Sequence, residues 1–240
     1  HLELGNGHRA ITDAGALRDL AESLTEGMAL HAAEVGRRLG TEVVVQFDEP
    51  ALPAALAGRL TGVTSMTPVH PVDESVAIEL LDRCAGAGPI AVHCCAADIP
   101  WKVLQRSSIQ AVAVDVSMLT PADLDGIGEF VESGRTVQLG VVPTTAPAKP
   151  PAVEEVAKAA AAVTDRLGFP RTVLRDHIGI TPGLWAGGCL RRLGEDGRRA
   201  VSEDGRRLRA GSGSALAVLS HQVGRSRLMG GSPSSALWRR

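Results

Sequence analysis

Apolar positions in this chain switch repeatedly between two spacings. From residue 13 to 39, Leu17, Leu20, Leu24, Met28, His31 and Val35 fall at helical spacing, with Thr12 or Asp13 as N-cap and Gly40 as the stop. The run from Glu42 to Phe47 is β-rich and ends in the polar turn Asp48-Glu49-Pro50. Short helices are predicted over Ala51 to Leu60 and over Val72 to Ala85, the latter with Val76, Leu80, Leu81 and Cys84 on one face. Ile90 to Cys94 reads as a buried strand, Ile99 to Arg106 as a helix and Ala111 to Val116 as a strand. Thr120 caps a helix reaching about Val131, with proline at its first position. Thr136 to Val142 is a strand, Pro151 to Leu167 an alanine-rich helix, and His177 to Ile180 a last short strand before Thr181-Pro182. At the start, Leu2-Glu3-Leu4 reads as a strand and Gly5-Asn6-Gly7 as a tight turn.

Strands that alternate with helices imply a parallel sheet, and strands that are near-continuous apolar runs imply helical cover. Two closures compete, a TIM-type barrel and an open doubly wound sheet. No Gly-x-Gly-x-x-Gly follows any strand, which weakens the nucleotide-binding open sheet. Polar residues gather instead where strands end, the place where a barrel keeps its chemistry. A complete barrel takes about 250 residues, and only five or six strands are legible. The expected fold is therefore α/β: an incomplete TIM-type (β/α)8 barrel over residues 1–182, with a poorly structured C-terminal tail over 183–240. The opening His1-Leu2-Glu3-Leu4 has neither the basic nor the apolar region of a secretory leader, and it reads as beginning inside a structured region with earlier strands missing.

Charge marks the same boundary. The chain of 240 residues has a net charge of −2, but residues 183–240 hold eleven arginines, no lysine and four acids, a balance of +7, which leaves 14 basic and 23 acidic residues, a balance of −9, before them. The tail also carries the near repeats Glu195-Asp196-Gly197-Arg198-Arg199 and Glu203-Asp204-Gly205-Arg206-Arg207. A basic arm for nucleic acid or phosphate, a disordered segment, and out-of-frame translation of GC-rich DNA all give this composition. Aromatic residues make up 2% of the chain and tyrosine is absent, so nucleic-acid binding by base stacking is not expected. No apolar run is long enough to span a membrane. Cys94 and Cys95 are adjacent, and four cysteines, with Cys84 and Cys189, form no disulfide framework; a reducing cytoplasm and a metal or catalytic role fit them better.

Four strand ends carry the candidate chemistry: Asp48-Glu49-Pro50, His93-Cys94-Cys95, Asp115 and Thr181-Pro182. His93 and Cys95 are two apart, so a strand puts both on one face. Imidazole and thiolate suit zinc, and Asp115 ends the following strand, where its carboxylate could join them. The plainer reading has His93 capping a backbone carbonyl beside inert core thiols and Asp115 initiating a loop.

Gln46-Phe47-Asp48-Glu49-Pro50-Ala51-Leu52 resembles the Gln-Ile-Asp-Glu-Pro-Ala-Leu segment of cobalamin-independent methionine synthase. Val92-His93-Cys94-Cys95 is similar to that family's His-x-Cys zinc segment, and Ala113-Val114-Asp115-Val116-Ser117 stands where the family has a glutamate ligand. The likeness covers roughly residues 1–182 and is to the short, single-barrel members typical of actinobacteria. It implies a (β/α)8 barrel and a Zn2+ ion held by His93, Cys95, the Asp115 carboxylate and a further cysteine. Homocysteine would bind the metal as thiolate and take a methyl group from N5 of a folate. Asp48 would grip the amino group of homocysteine, with Glu49 beside it. Two positions depart from the pattern. Thr145 stands where the family has a histidine placed for proton relay, so the folate nitrogen lacks its usual donor. After Pro182 the family has Pro-x-Cys-Gly-Leu, whereas this chain has Gly183-Leu184-Trp185-Ala186-Gly187. Those residues can be encoded GGC CTG TGG GCT GGC, and dropping one G yields Ala-Cys-Gly-Leu. A one-base frameshift near Gly183 is thus expected, with Cys189 too far along to replace the lost ligand and the activity of the chain impaired. Alkyl transfer to another thiol, such as coenzyme M, would use His93 and Cys95 alike. A basic-tailed nucleic-acid-binding protein is the rival from another class.

Overall fold

The computed structural model describes residues 2–64, 66–142 and 151–183 and a strand at 217–222. Six parallel strands form one sheet: β1 (Val43–Asp48), β2 (Ile90–Cys94), β3 (Ala111–Asp115), β4 (Thr136–Val142), β5 (Ile178–Pro182) and β6 (Ala217–Gln222). The helices are α1 (Ala14–Leu39), α2 (Leu52–Leu56), α3 (Glu74–Ala85), α4 (Trp101–Arg106), α5 (Pro121–Glu132), α6 (Val153–Arg166) and α7 (Thr172–Asp176). No described helix is long and apolar enough to cross a membrane.

The strand order β5-β4-β3-β2-β1-β6 decides between the two closures. A doubly wound sheet reverses its order at a switch point. Here β1 to β5 follow one another without reversal, and right-handed crossovers that all step the same way leave their helices on the same face. The sheet curls as an incomplete barrel, and among the described residues β5 and β6 are its two edges.

The core shows which face the helices cover. Val45 and Phe47 of β1, Ile90, Val92 and Cys94 of β2, Val112 and Val114 of β3, and Val137 and Leu139 of β4 are buried with Met28, Leu81, Leu104, Ile127, Phe130 and Val163 from the helices. Apart from Val44, the alternate positions toward the strand ends include Gln46, Asp48, Ala91, His93, Ala111, Ala113, Asp115, Gln138 and Gly140. All are absent from that cluster. They are polar or small, as the inside of a curling sheet requires.

Local chemistry sets the helix ends. Asp13 caps α1 by accepting from the Ala16 N–H at 2.8 Å, and Gly40 ends it in the left-handed region at φ 61°. At α5 the Thr120 N–H and hydroxyl both donate to Asp123 Oδ2, and the other Asp123 oxygen accepts from Trp101 Nε1 at 2.9 Å. This carboxylate therefore ties α4 to α5. Gly126 is required beside it, because a Cβ there would stand 2.2 Å from the indole ring of Trp101. Arg135 lies over the Phe130 ring at 4.0 Å and donates to the carbonyls of Leu104, Gln105 and Ser107 at the end of α4. Near the N-terminus, Glu3 and Arg9 form an antiparallel bridge around the expected turn.

Three details differ from the sequence reading. On α3 the buried positions are Ala77 and Leu81, while Val76 is exposed. The helix α7 was not expected, because five residues give too little periodicity. The segment 217–222, assigned to the poorly structured tail, instead pairs with the free edge of β1 from Val43↔Ala217 to Asp48↔Gln222. An apolar run beside an unpaired parallel edge is enough to extend a sheet. Thr145, Cys189, the two Glu-Asp-Gly-Arg-Arg repeats and the rest of the tail beyond Gly183 lie outside the described residues.

Candidate functional site

Asp48 closes β1 and pairs in register with His93 on β2. Parallel neighbours in register point to the same side, so the two side chains meet on the face that the helices leave bare. His93 Nδ1 stands 3.2 Å from Asp48 Oδ1, and Gln46 Nε2, two residues back on β1, donates to the same oxygen at 2.8 Å. All three are buried, at 7% exposure for Gln46, 8% for Asp48 and 3% for His93. This hydrogen-bonded relay spans two strands at their C-terminal ends.

The adjacent cysteines part ways. Cys94 ends β2 on the helix-covered side and belongs to the core cluster, where burial above all pushes its thiol up to about 11. Cys95 follows the strand, is buried, and is absent from that cluster. Continued strand alternation would return it to the His93 side. On pattern alone the two thiols were distinguishable only by parity.

Asp115 ends β3 on that same side and is buried. Its Oδ1 accepts from both the N–H of Ser117 at 2.9 Å and the Ser117 hydroxyl at 2.7 Å, so it does initiate a turn. Its Oδ2 faces β5: a Cβ built on Gly183 would lie 3.1 Å from it. Thr181-Pro182 ends β5 close by. Gly140 makes this approach possible, because a Cβ there would stand 3.0 Å from the Val114 carbonyl and from Gly183 Cα.

Glu49 separates from Asp48. Its N–H continues the ladder by donating to the His93 carbonyl at 2.8 Å. Its charge is felt by the thiols of Cys84 and Cys94, on the helix-covered side. Burial chiefly, and the nearby Asp48 charge, push the Glu49 carboxyl up to about 7. A cleft of about 320 Å³ between α1 and the sheet, lined by Met28, Phe47 and Cys84 among others, opens on that side and does not touch the relay.

An N, S and O donor set from His93, Cys95 and Asp115 is the chemistry zinc prefers. All three stand at the same end of the sheet, His93 and Cys94 closing β2 just before Cys95 and Asp115 closing β3. Among the described residues, however, no group of three His, Cys, Asp or Glu side chains is arranged to hold a metal ion. The residue that sequence reasoning passed over is Gln46: it stood inside a recognised segment, but its partner became visible only through register.

No curated protein matches the chain. The model of the family described as cobalamin-independent synthase, catalytic domain, matches residues 1–191. The arginine-rich remainder lies beyond that match. With most of the chain covered, and with the strand ends occupied as the Asp-Glu-Pro and His-Cys-Cys segments suggested, the chain belongs to the cobalamin-independent synthase catalytic-domain family.

Proposed function

We propose that this chain carries the site for zinc-dependent transfer of a methyl group from N5 of a folate to the thiol of homocysteine, giving methionine. Family membership implies a methyltransferase-type enzyme. The observation that supports the finer reading is the buried Asp48–His93 pair at the C-terminal ends of β1 and β2, with Asp115 buried at the end of β3.

In this reading His93, Cys95 and Asp115 hold the ion, and Asp48 receives the ammonium group of homocysteine. Bound zinc lowers the pKa of a coordinated thiol, which supplies a thiolate at neutral pH. The chain's own residues do the rest. Ser117 fixes one Asp115 oxygen and leaves the other turned toward β5. Asp48 orients the imidazole and lends negative charge where a cationic amino acid would enter. Glu49 supports this corner from the opposite side through its N–H on the His93 carbonyl. Cys94, protonated in the core, stays out of the chemistry. The described cysteines are free thiols, which supports a reducing, cytoplasmic setting.

Zinc content of the purified chain tests the ligand set. Cys95→Ser is expected to lower bound zinc at least tenfold, and Cys94→Ser to leave it near the wild-type level. Equal zinc in wild type and Cys95→Ser removes Cys95 from the site. Methylation assays with homocysteine and with coenzyme M then identify the acceptor; faster turnover of coenzyme M would overturn the choice of homocysteine.

A further inference from the structure

We infer that Gln46 is a positioning residue that sets the direction of hydrogen bonding through Asp48 and so holds His93 as the Nδ1–H tautomer, with Nε2 as the bare nitrogen. This deepens the metal-site reading and rests on it only for what Nε2 meets.

The inference starts from one oxygen. Asp48 Oδ1 is shared between Gln46 Nε2 at 2.8 Å and His93 Nδ1 at 3.2 Å. An amide nitrogen has only hydrogens to offer, so Oδ1 must accept from Gln46. That donated N–H favours the ionised form of Asp48, and an ionised carboxylate accepts only, with no proton to hand to the imidazole. The contact with His93 therefore works in one direction, with Nδ1–H donating to Oδ1. A neutral imidazole with its hydrogen on Nδ1 keeps its lone pair on Nε2, the form in which a ring nitrogen binds a metal ion.

Burial makes this choice strict. With Gln46 at 7% exposure, Asp48 at 8% and His93 at 3%, water cannot stand in for a lost partner. The opposite tautomer would need a proton on Asp48, which makes the carboxyl a weaker acceptor for the buried Gln46 N–H. Strand geometry keeps the three aligned: Gln46 and Asp48 alternate onto one face of β1, and Asp48 is level with His93 on β2. Gln46 acts through Asp48, not by touching a ligand. Losing such an outer partner lowers metal affinity by about 10–100-fold.

The test uses the full-length, metal-free chain with 15N-labelled histidine, read by long-range 1H–15N correlation at mildly alkaline pH. The peaks that vanish in His93→Gln assign His93. Wild type is expected to show a protonated Nδ1 and a bare Nε2. A protonated Nε2 in wild type overturns the proposal whatever the variants do. Gln46→Met keeps the length and removes the N–H, and it is expected to bring in the second tautomer; an unchanged His93 pattern in folded Gln46→Met also overturns it. Zinc titration of the same two proteins should show about tenfold weaker binding in Gln46→Met. A wild-type chain that binds no zinc sinks the metal reading, while the tautomer spectrum still decides this one.

Discussion

Gln138 and Leu139 are neighbours on β4 and belong to different chemistry. Leu139 is fully buried in the cluster shared by sheet and helices. Gln138 points to the side without helices and is only half-buried. The same contrast runs along β2, where Val92 and Cys94 pack in the core while His93 meets Asp48. One face of this sheet is selected for close packing. The other is selected for what its polar groups hold. An alternation of single residues separates stability from chemistry over a thickness of one backbone.

Four substitutions test that division, and the first has the largest expected effect. Val112→Asp places a carboxylate at a fully buried position of the helix-covered face. It should cost several kcal/mol, on the scale of the whole stability of about 5–15 kcal/mol, and abolish a cooperative thermal transition by circular dichroism. Cooperative melting near the wild-type temperature would show that this face is not the core. Next come the two neighbours on β4. Leu139→Ala should lose about 2–5 kcal/mol in urea titration, whereas Gln138→Ala should stay within about 0.5 kcal/mol. Similar costs for both would erase the distinction between the faces. Third, Gly126→Ala drives a methyl group into the Trp101 ring and should cost about 1–3 kcal/mol, with a shift in tryptophan fluorescence as the readout.

The smallest effect is a pH effect on the helix-covered side. Glu49 has its folded pKa raised from 4.5 to about 7. Between those values the folded chain keeps a proton that the unfolded chain has lost, so stability declines as pH rises through that window. Glu49→Gln removes this decline. The variant should match wild type near pH 4.5 and exceed it by about 1–2 kcal/mol at pH 8, an amount discounted for the partial exposure of Glu49. A wild-type chain whose stability climbs from pH 5 to pH 7 while Glu49→Gln stays flat would reverse the assignment.

Much of the architecture was legible because each strand is an apolar run that ends in a polar residue. Ile90–Cys94 and Thr136–Val142 were read with the bounds observed, and the caps of α1 and α5 were visible as Asp13, Gly40 and Thr120. Parity along β2 was readable too, with Val92 and Cys94 in the core and His93 on the other face. What could not be read depends on pairing between distant segments. That Asp48 and not Asp115 would lie beside His93 is a matter of register between β1 and β2. So is the role of Gln46. The turn from Asp48 to Glu49 looked like a single acidic element, yet consecutive residues continuing a strand point to opposite sides. The described residues do not draw the expected zinc trio together: His93 is engaged by Asp48 and Asp115 by Ser117.

The unreversed strand order has a consequence for how the molecule assembles. From β1 to β5 every strand finds its partner in the next one along the chain, so each βα unit can dock on its predecessor as synthesis proceeds, with short loops to close at every step. The pairing of β1 with β6 joins segments far apart in sequence. That pairing must wait until residues 217–222 emerge. Amide exchange should record that history, with Ala217–Gln222 exchanging first and the central strands β2 and β3 last.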